Sequence, residues 1–535
     1  MSETAQATRF GAREGAAARA WVAAHWFPLG VAAITAAAAA FLFHQLLAWP
    51  PHEDEALPLF IGRHPLGGLF QVVLEERGGA PLHFLVAWAV AHLDLGLEGL
   101  RAFSAVCAIL SLPVVALLTA RLGGRLHALI ATVIVATSWT FLFHGVYGRM
   151  YSLFLLTSAL SFLALLRALE RGGGRAWALW ALAILATVAT HPYGALVLAS
   201  QGAFVVTARR DRLRAAALAF GAVAVLGIPF WLTDLVLAGR FDAGVAAGGR
   251  LDVLDYVWHA AGDFTAGFPV LPAVLVAAAA GFVTLRRETR ILAACAALVP
   301  LVALFAARSS GSPETRHLIF VLPFVALAVA AGVARLGRTW GLAALAALVV
   351  AQVAWAWDKT PELFNWEPQI RQEARADAAA YLAATSRPND VLLGYEPLFI
   401  QAWERNSDVP YVVLPRADAD LALHNLLDLE RPLGHGVWVF DASKTTNFDR
   451  SLRIPFVEPR PAAAFEVRAF GPFLVIRTRE PVVTPERYLL RAGQATLVGK
   501  RLFLGDADIN LLTIERAARA LRGYGASRSP STSSR

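Results

Sequence analysis

The sequence predicts a polytopic α-helical membrane protein of about eleven transmembrane helices plus a juxtamembrane helix, followed by a C-terminal extracytoplasmic α/β domain. Three observations predict it. Only 16% of the residues are charged and 57% are hydrophobic, whereas a soluble domain carries about 25% charge. Apolar runs recur between residues 27 and 357, most of them near the length that crosses a bilayer. From Asp358 the apolar runs shorten to strand length (391–393, 411–414, 437–440 and 473–476) and alternate with helix-like stretches such as 371–385.

Residues 1–26 are polar, with Arg9, Arg13 and Arg19 ahead of the first apolar run, and are expected in the cytoplasm. The run 27–49 exceeds the apolar core of a signal peptide and is expected to stay as an uncleaved first span. Further spans are expected at 101–120, 126–143, 151–168, 176–190, 193–208, 215–238, 269–285, 291–307, 318–334 and 339–357. The stretch 81–97 carries His83, His92 and Asp94 and is placed as a juxtamembrane or re-entrant helix. Arg121/Arg125, Arg167/Arg171/Arg175, Arg209/Arg210/Arg212/Arg214, Arg286/Arg287/Arg290 and Arg335/Arg338 then all face the cytoplasm, as the positive-inside rule requires. If that stretch crossed, every one of these clusters would move outside. The expected organisation is a membrane module at 27–357 with a first outer loop at 50–100, an extracytoplasmic domain at 358–525, and a Ser/Arg-rich disordered tail at 526–535. The protein is expected in the cell membrane.

The net charge of +8 is almost all arginine. Its distribution between apolar runs reports topology and does not call for nucleic acid. Cys107 and Cys295, the only two cysteines, both lie in apolar runs, so no disulfide framework or thiolate metal site is available. The sequence shows no internal repeat and no glycine-rich phosphate loop.

In this topology the outer face collects Asp54/Glu55, Glu75/Glu76, the turn 144–151, the turn His191-Pro192-Tyr193, and the loops 239–268 and 309–317. A transporter is expected to carry ionisable groups near the middle of its spans. Here the spans hold few of them, Asp234 being one, so the chemistry is placed at the outer leaflet.

Several motifs follow one another in order. An acid cluster, His52-Glu53-Asp54-Glu55-Ala56, follows the first span. Then come Ala80-Pro81-Leu82-His83-Phe84, Leu100-Arg101, Gly148-Arg149-Met150-Tyr151, Thr190-His191-Pro192-Tyr193-Gly194 and Glu314-Thr315-Arg316-His317-Leu318. Over residues 20–360 this order resembles the GT-C glycosyltransferase superfamily, in its branch of protein O-mannosyltransferases and aminoarabinose (lipid A) transferases. Relatives of that kind carry Asp-Glu-Ala, Pro-Pro-Leu-Tyr-Tyr, Ala-Arg-Met-Tyr and Thr-His-Tyr at the corresponding places. Here the second motif has His83 and Phe84 in place of two tyrosines, and the acid usual before the third motif is missing.

The resemblance implies a transferase that moves a sugar from a polyprenyl-phosphate donor to an acceptor on the extracytoplasmic side. It implies Asp54 as the general base, with Glu55 the second catalytic candidate. The chemistry agrees, since displacing a lipid phosphate from an anomeric carbon needs a base on one face and phosphate stabilisation on the other. Guanidinium groups bind phosphate in a bidentate way. Arg149 and Arg316 are therefore the expected phosphate ligands, with Tyr151 and His191 beside them and Arg308 a weaker candidate. Glu76, His83, Tyr193 and His317 are expected to contact substrate, Glu76 as a replacement for the missing acid. The competing structural readings are helix capping for Asp54 and Glu55, headgroup snorkelling for the arginines, and interfacial belts for the aromatic side chains. Glu53 is expected to be solvated. A divalent cation is compatible with His52, Asp54 and Glu55, but nothing in their spacing demands a metal. The expected partners are the lipid bilayer, the lipid-linked donor and a protein, lipid or polysaccharide acceptor. The alternatives are a catalytically degenerate scaffold and a lipid carrier or flippase of envelope assembly.

Overall fold

The computed structural model describes residues 3–240, 250–307, 315–406, 411–416, 419–441 and 464–504. Arg308, Glu314 and the tail 526–535 lie outside them. The chain divides into two compact units. The first is drawn from Met1–Trp49, Phe70–Val86 and Glu98–Trp366, the second from Pro50–Leu69, Ala87–Leu97 and Glu367–Arg535.

All eleven expected spans fall on helices of the first unit, but fewer are long enough to cross. Among the described residues six helices qualify by length and composition: Ala24–His44, Gly96–Gly123, Tyr151–Arg171, Arg287–Ala306, Thr315–Ala334 and Gly337–Lys359. Two bent pairs, Arg125–Thr137 with Trp139–Val146 (56°) and Arg210–Leu226 with Ile228–Leu237 (58°), raise the count to eight. Gly174–Thr190, Gly194–Ala208 and Leu271–Phe282 have 17, 15 and 12 residues. They rise about 26, 23 and 18 Å, short of a hydrocarbon core of about 30 Å. Runs of this size are predominantly apolar yet too short for a bilayer, so apolarity alone suggests eleven spans. The Pro81–His92 helix, at 12 residues, is likewise too short to span unaided.

In lipid, helices associate through close packing of small residues and through buried hydrogen bonds. Both devices are present. The helices Leu271–Phe282 and Leu322–Ala334 approach at two glycines: a Cβ on Gly281 would stand 2.0 Å from the Ala328 carbonyl oxygen, and one on Gly332 2.0 Å from that of Ala277. Buried Gln352 receives the Thr137 hydroxyl (2.6 Å) and donates to the Ile134 carbonyl (3.2 Å). Buried Gln201 receives the Trp180 indole N–H (2.7 Å) and donates to Ser161 (2.8 Å). Gly332→Leu is expected to lower the thermal midpoint in detergent sharply, because backbone cannot give way as a side chain can. Gly221→Leu is the control, since a Cβ there meets nothing within 4 Å. Equal midpoints for the two variants would refute the close crossing.

The second unit contains a five-stranded mixed sheet in the order β2-β1-β3-β5-β4. Its strands are β1 (Val391–Gly394), β2 (Val412–Leu414), β3 (Gly436–Asp441), β4 (Phe465–Phe470) and β5 (Phe473–Thr478). β1 is parallel to both β2 and β3, while β5 runs antiparallel to β3 and β4. The central strands read as unbroken apolar runs because both faces are covered. Val391, Leu393, Trp438, Phe440, Leu474 and Ile476 pack with the Pro485–Leu504 and Ala419–Leu427 helices. Leu392, Val437, Val439, Phe473 and Val475 pack with the Gln369–Thr385 and Glu396–Arg405 helices. Strand β4 escaped the sequence reading. It is an edge strand, half exposed, with Glu466 and Arg468 in its alternation. Buried charges near this sheet are paired: Asp441 with Arg371 (2.6 Å), Glu367 with Arg375 (2.6 Å), and Asp390 with Arg477 (3.0 Å).

Candidate active site

Within the first unit, three connections bring the expected phosphate ligands into one cluster, and a fourth carries His83. The Arg316 guanidinium carbon lies 4.9 Å from the Tyr151 ring centroid and 5.9 Å from that of Tyr147, within cation–π range. The His317 ring is 5.9 Å from Tyr151, 5.1 Å from His191 and 5.2 Å from Tyr193. His191 is in turn 5.8 Å from Tyr151 and 5.4 Å from Tyr193. Tyr151 and His191 are 2% and 3% exposed, so they face the packed interior and form no lipid-facing belt. His83 and His191 both lie within electrostatic reach of Arg149. Arg149, Arg316, Tyr151, His191, His83, Tyr193 and His317 are thus gathered together.

The local backbone explains how. Arg149 sits in the turn between the Trp139–Val146 and Tyr151–Arg171 helices; its N–H donates to the Tyr147 carbonyl (2.7 Å), and its own carbonyl accepts from the Ser104 hydroxyl (3.2 Å). At 191–194 the chain reverses between two helices, and Gly194 is needed because a Cβ there would stand 2.6 Å from Val188 Cα. Ahead of His83, Gly78, Gly79 and Ala80 all take left-handed backbone angles (φ 71°, 64° and 46°), a conformation that disfavours residues with a side chain. The Gly79 N–H is tied to the Thr233 carbonyl (2.9 Å). Arg316 and His317 lie in the 3-10 segment Thr315–Val321.

His191 and His83 are held neutral. Burial, followed by the nearness of His317 and of the Arg149 and Arg316 guanidinium groups, pushes His191 well below the ordinary imidazole range. His191 Nδ1 accepts the Tyr193 N–H (3.0 Å), which leaves Nε2 as the nitrogen that carries the proton. Burial and then Arg149 bring His83 down to about 3. Neither ring nitrogen of His83 has a hydrogen-bond partner among the described residues, an arrangement that is costly for buried polar atoms. Burial pushes the Tyr193 hydroxyl up to about 12, so it remains a proton donor.

The depressed values have a consequence for stability. An unfolded histidine titrates near about 6.5, so below that pH the unfolded chain binds protons that His83 and His191 refuse in the folded protein. Stability is fully present above about 6.5 and falls as the pH drops, with a slope of up to about 1.4 kcal/mol per pH unit for each group. His83→Phe should therefore lose less thermal stability than the wild type between pH 7 and pH 5. Parallel losses would show that His83 takes up a proton in the folded state.

The acids belong to the second unit. His52 caps the Glu53–Gly62 helix: its Nδ1 accepts the Asp54 N–H (3.2 Å), and the Glu55 carboxylate accepts the His52 N–H (3.0 Å). This is a capping box, which also sets anionic charge at a helix N-terminus. Glu55 is fully buried and its carboxylate has this structural task. Asp54 is half-buried, with a carboxylate oxygen 3.9 Å from His52 Nδ1. Glu53 departs from expectation. Rather than being solvated it pairs with Arg416, whose Nε lies 2.8 Å from the carboxylate, because the chain following β2 brings that guanidinium to it. Tyr395 donates its hydroxyl to the Pro51 carbonyl (2.7 Å). In the first unit, buried Arg101 donates to the carbonyls of Trp49 (2.7 Å) and Leu46 (3.2 Å), at the end of the first span.

Glu76 stands in the π-helical turn Val72–Arg77, half-buried, in a segment packed against the Ile228–Arg240 helix. Sequence reading missed His144 as a cluster member. Its ring is 4.8 Å from Tyr151, and neither nitrogen has a hydrogen-bond partner among the described residues. A histidine in the Trp139–Val146 helix, five residues before Arg149, was the available signal. Among the described residues no group of three His, Cys, Asp or Glu side chains is arranged to hold a metal ion.

No known family model matches this sequence, and no curated protein matches it. Solved structures do share its fold. ArnT from Cupriavidus metallidurans bound to undecaprenyl phosphate matches at 14% identity and a TM-score of 0.51, over 84% of this chain and 97% of that one. The archaeal oligosaccharyltransferase AglB from Archaeoglobus fulgidus, in complex with an inhibitory peptide and a dolichol-phosphate, matches at 11% identity and a TM-score of 0.52. That match covers 81% of this chain and 71% of that one. The fold is GT-C-like, with six to eight candidate membrane spans among the described residues and a C-terminal mixed sheet.

Proposed function

We propose that the protein is a membrane glycosyltransferase that uses a polyprenyl-phosphate-linked sugar and acts on the extracytoplasmic side, in the manner of the O-mannosyl and aminoarabinose transferases. The observation that carries this reading is the gathering of Arg149 and Arg316 with neutral His191 and His83, and with His317, Tyr151 and Tyr193. Guanidinium, imidazole N–H and phenol are donors suited to a phosphate oxygen. Two structures of similar fold hold a lipid phosphate.

In the proposed reaction an acceptor hydroxyl attacks the anomeric carbon while Asp54 takes its proton. The bond from that carbon to the phosphate oxygen breaks, and the lipid phosphate leaves with the electron pair, neutralised by Arg149 and Arg316 with Tyr151 and His191 alongside. A single displacement inverts the anomeric centre. Glu55 supports the helix that carries Asp54, while Glu76, His83, Tyr193 and His317 contact sugar or acceptor. The N-terminus is assigned to the cytoplasm, and the domain at 358–525 to the acceptor side.

The test is donor consumption. Purified protein is incubated with a panel of polyprenyl-phosphate sugars, and release of polyprenyl phosphate is followed by mass spectrometry, with binding read in the same samples. Turnover of one donor identifies the sugar and supports the reading. Neither binding nor turnover across the panel overturns it in favour of a scaffold.

A further inference from the structure

Asp263 is 2% exposed and uses both carboxylate oxygens, one for the Lys359 ammonium and the other for the Thr315 hydroxyl. Its backbone carbonyl accepts the Thr140 hydroxyl (3.2 Å). The Lys359 ammonium also lies 3.6 Å from the centroid of the Trp139 ring, and the Trp139 indole N–H donates to Thr360 (2.9 Å). The buried carboxylate therefore joins the Arg250–Phe264 and Gly337–Lys359 helices to the first residue of the Thr315–Val321 segment, and the Asp263 backbone carbonyl and Lys359 tie in the Trp139–Val146 helix.

That segment has weak internal support. A 3-10 helix has poor hydrogen-bond geometry and is uncommon beyond about three to four residues, and this one is broken at Leu318 (φ −96°, ψ 16°). The residues that follow Thr315 are Arg316 and His317, both members of the cluster around Tyr151. We propose that Asp263, through the Thr315 hydroxyl, is a positioning residue that fixes the turn carrying Arg316 and so sets its guanidinium for phosphate. The proposal rests on the proposed function for what Arg316 binds, but the positioning itself has a readout of its own.

Thr315→Val is the cleanest probe, because it removes the hydroxyl at nearly constant shape and leaves the Asp263–Lys359 pair in place. Full-length protein in detergent is titrated with undecaprenyl phosphate as wild type, Thr315→Val, Arg316→Ala and the double variant. Thr315→Val is expected to weaken binding about tenfold alone and less than twofold in the Arg316→Ala background. A merely structural hydroxyl would give equal losses in both backgrounds, and that result, or no loss in either, overturns the proposal. Hydrogen exchange on the same proteins is independent of ligand: Thr315→Val should speed exchange of 315–321 and leave 151–171 unchanged. Unchanged exchange at 315–321 overturns the positioning role. If the wild type fails to bind undecaprenyl phosphate, the functional reading falls, and exchange alone decides the role of Asp263.

Discussion

Asp54→Asn is expected to reduce release of polyprenyl phosphate from the preferred donor by about a hundredfold to ten-thousandfold, the range of a general base. Donor affinity should change less than about twofold. The substitution keeps the shape of the side chain and the backbone N–H that Asp54 gives to His52, so the Glu53–Gly62 helix retains its cap. What disappears is the capacity to accept a proton. Loss of both binding and turnover would mean that Asp54 organises the fold, and full activity would remove it from the mechanism.

Glu55→Gln separates the neighbouring carboxylates. Glu55 closes the capping box on His52, and losing a cap costs about 1 kcal/mol. The variant should be less stable but should keep its turnover within about an order of magnitude. If Glu55→Gln is the inactive variant and Asp54→Asn the active one, the base assignment moves by one residue. Adjacent acids at a helix start are alike in sequence; the hydrogen bond from His52 and the full burial of Glu55 distinguish their tasks.

The membrane unit was legible because apolarity is a bulk property of each run, and the sheet because its central strands are apolar on both faces. Polar residues at helix ends were equally visible, which is why Arg149, Tyr151, His191 and Arg316 could be grouped before any contact was known. What escaped depends on two distant positions meeting. The Gly281–Gly332 crossing needs small residues on two helices at one height, and neither glycine is unusual alone. Gln201 and Gln352 look like polar blemishes in spans until their partners are seen. Asp263 and Lys359 lie far apart in sequence and resemble ordinary loop charges. Strand β4 was hidden by Glu466 and Arg468, which belong on an edge. Of the acids after the first span only Glu53 is expected from sequence to be solvated, yet Glu53 is bound to Arg416, and Glu55 is tied to its own helix start.

Arg149→Ala and Arg316→Ala are each expected to weaken polyprenyl phosphate binding by roughly ten- to a hundredfold, the worth of a charged hydrogen bond of about 1.5–3 kcal/mol. The two should differ in how lysine rescues them. Arg316 presents its guanidinium to the Tyr151 and Tyr147 rings, so a lysine there keeps charge but loses the planar contact. Arg316→Lys should recover only a small part of the lost affinity. Arg149→Lys should recover more if it acts mainly as a charge, and its residual affinity should fall faster with added salt than that of Arg316→Lys. The competing account of both residues is headgroup snorkelling, in which the side chain serves only the membrane surface. That account predicts unchanged affinity for both alanine variants. A titration with undecaprenyl phosphate therefore distinguishes a phosphate site from a membrane anchor without requiring knowledge of the sugar or the acceptor.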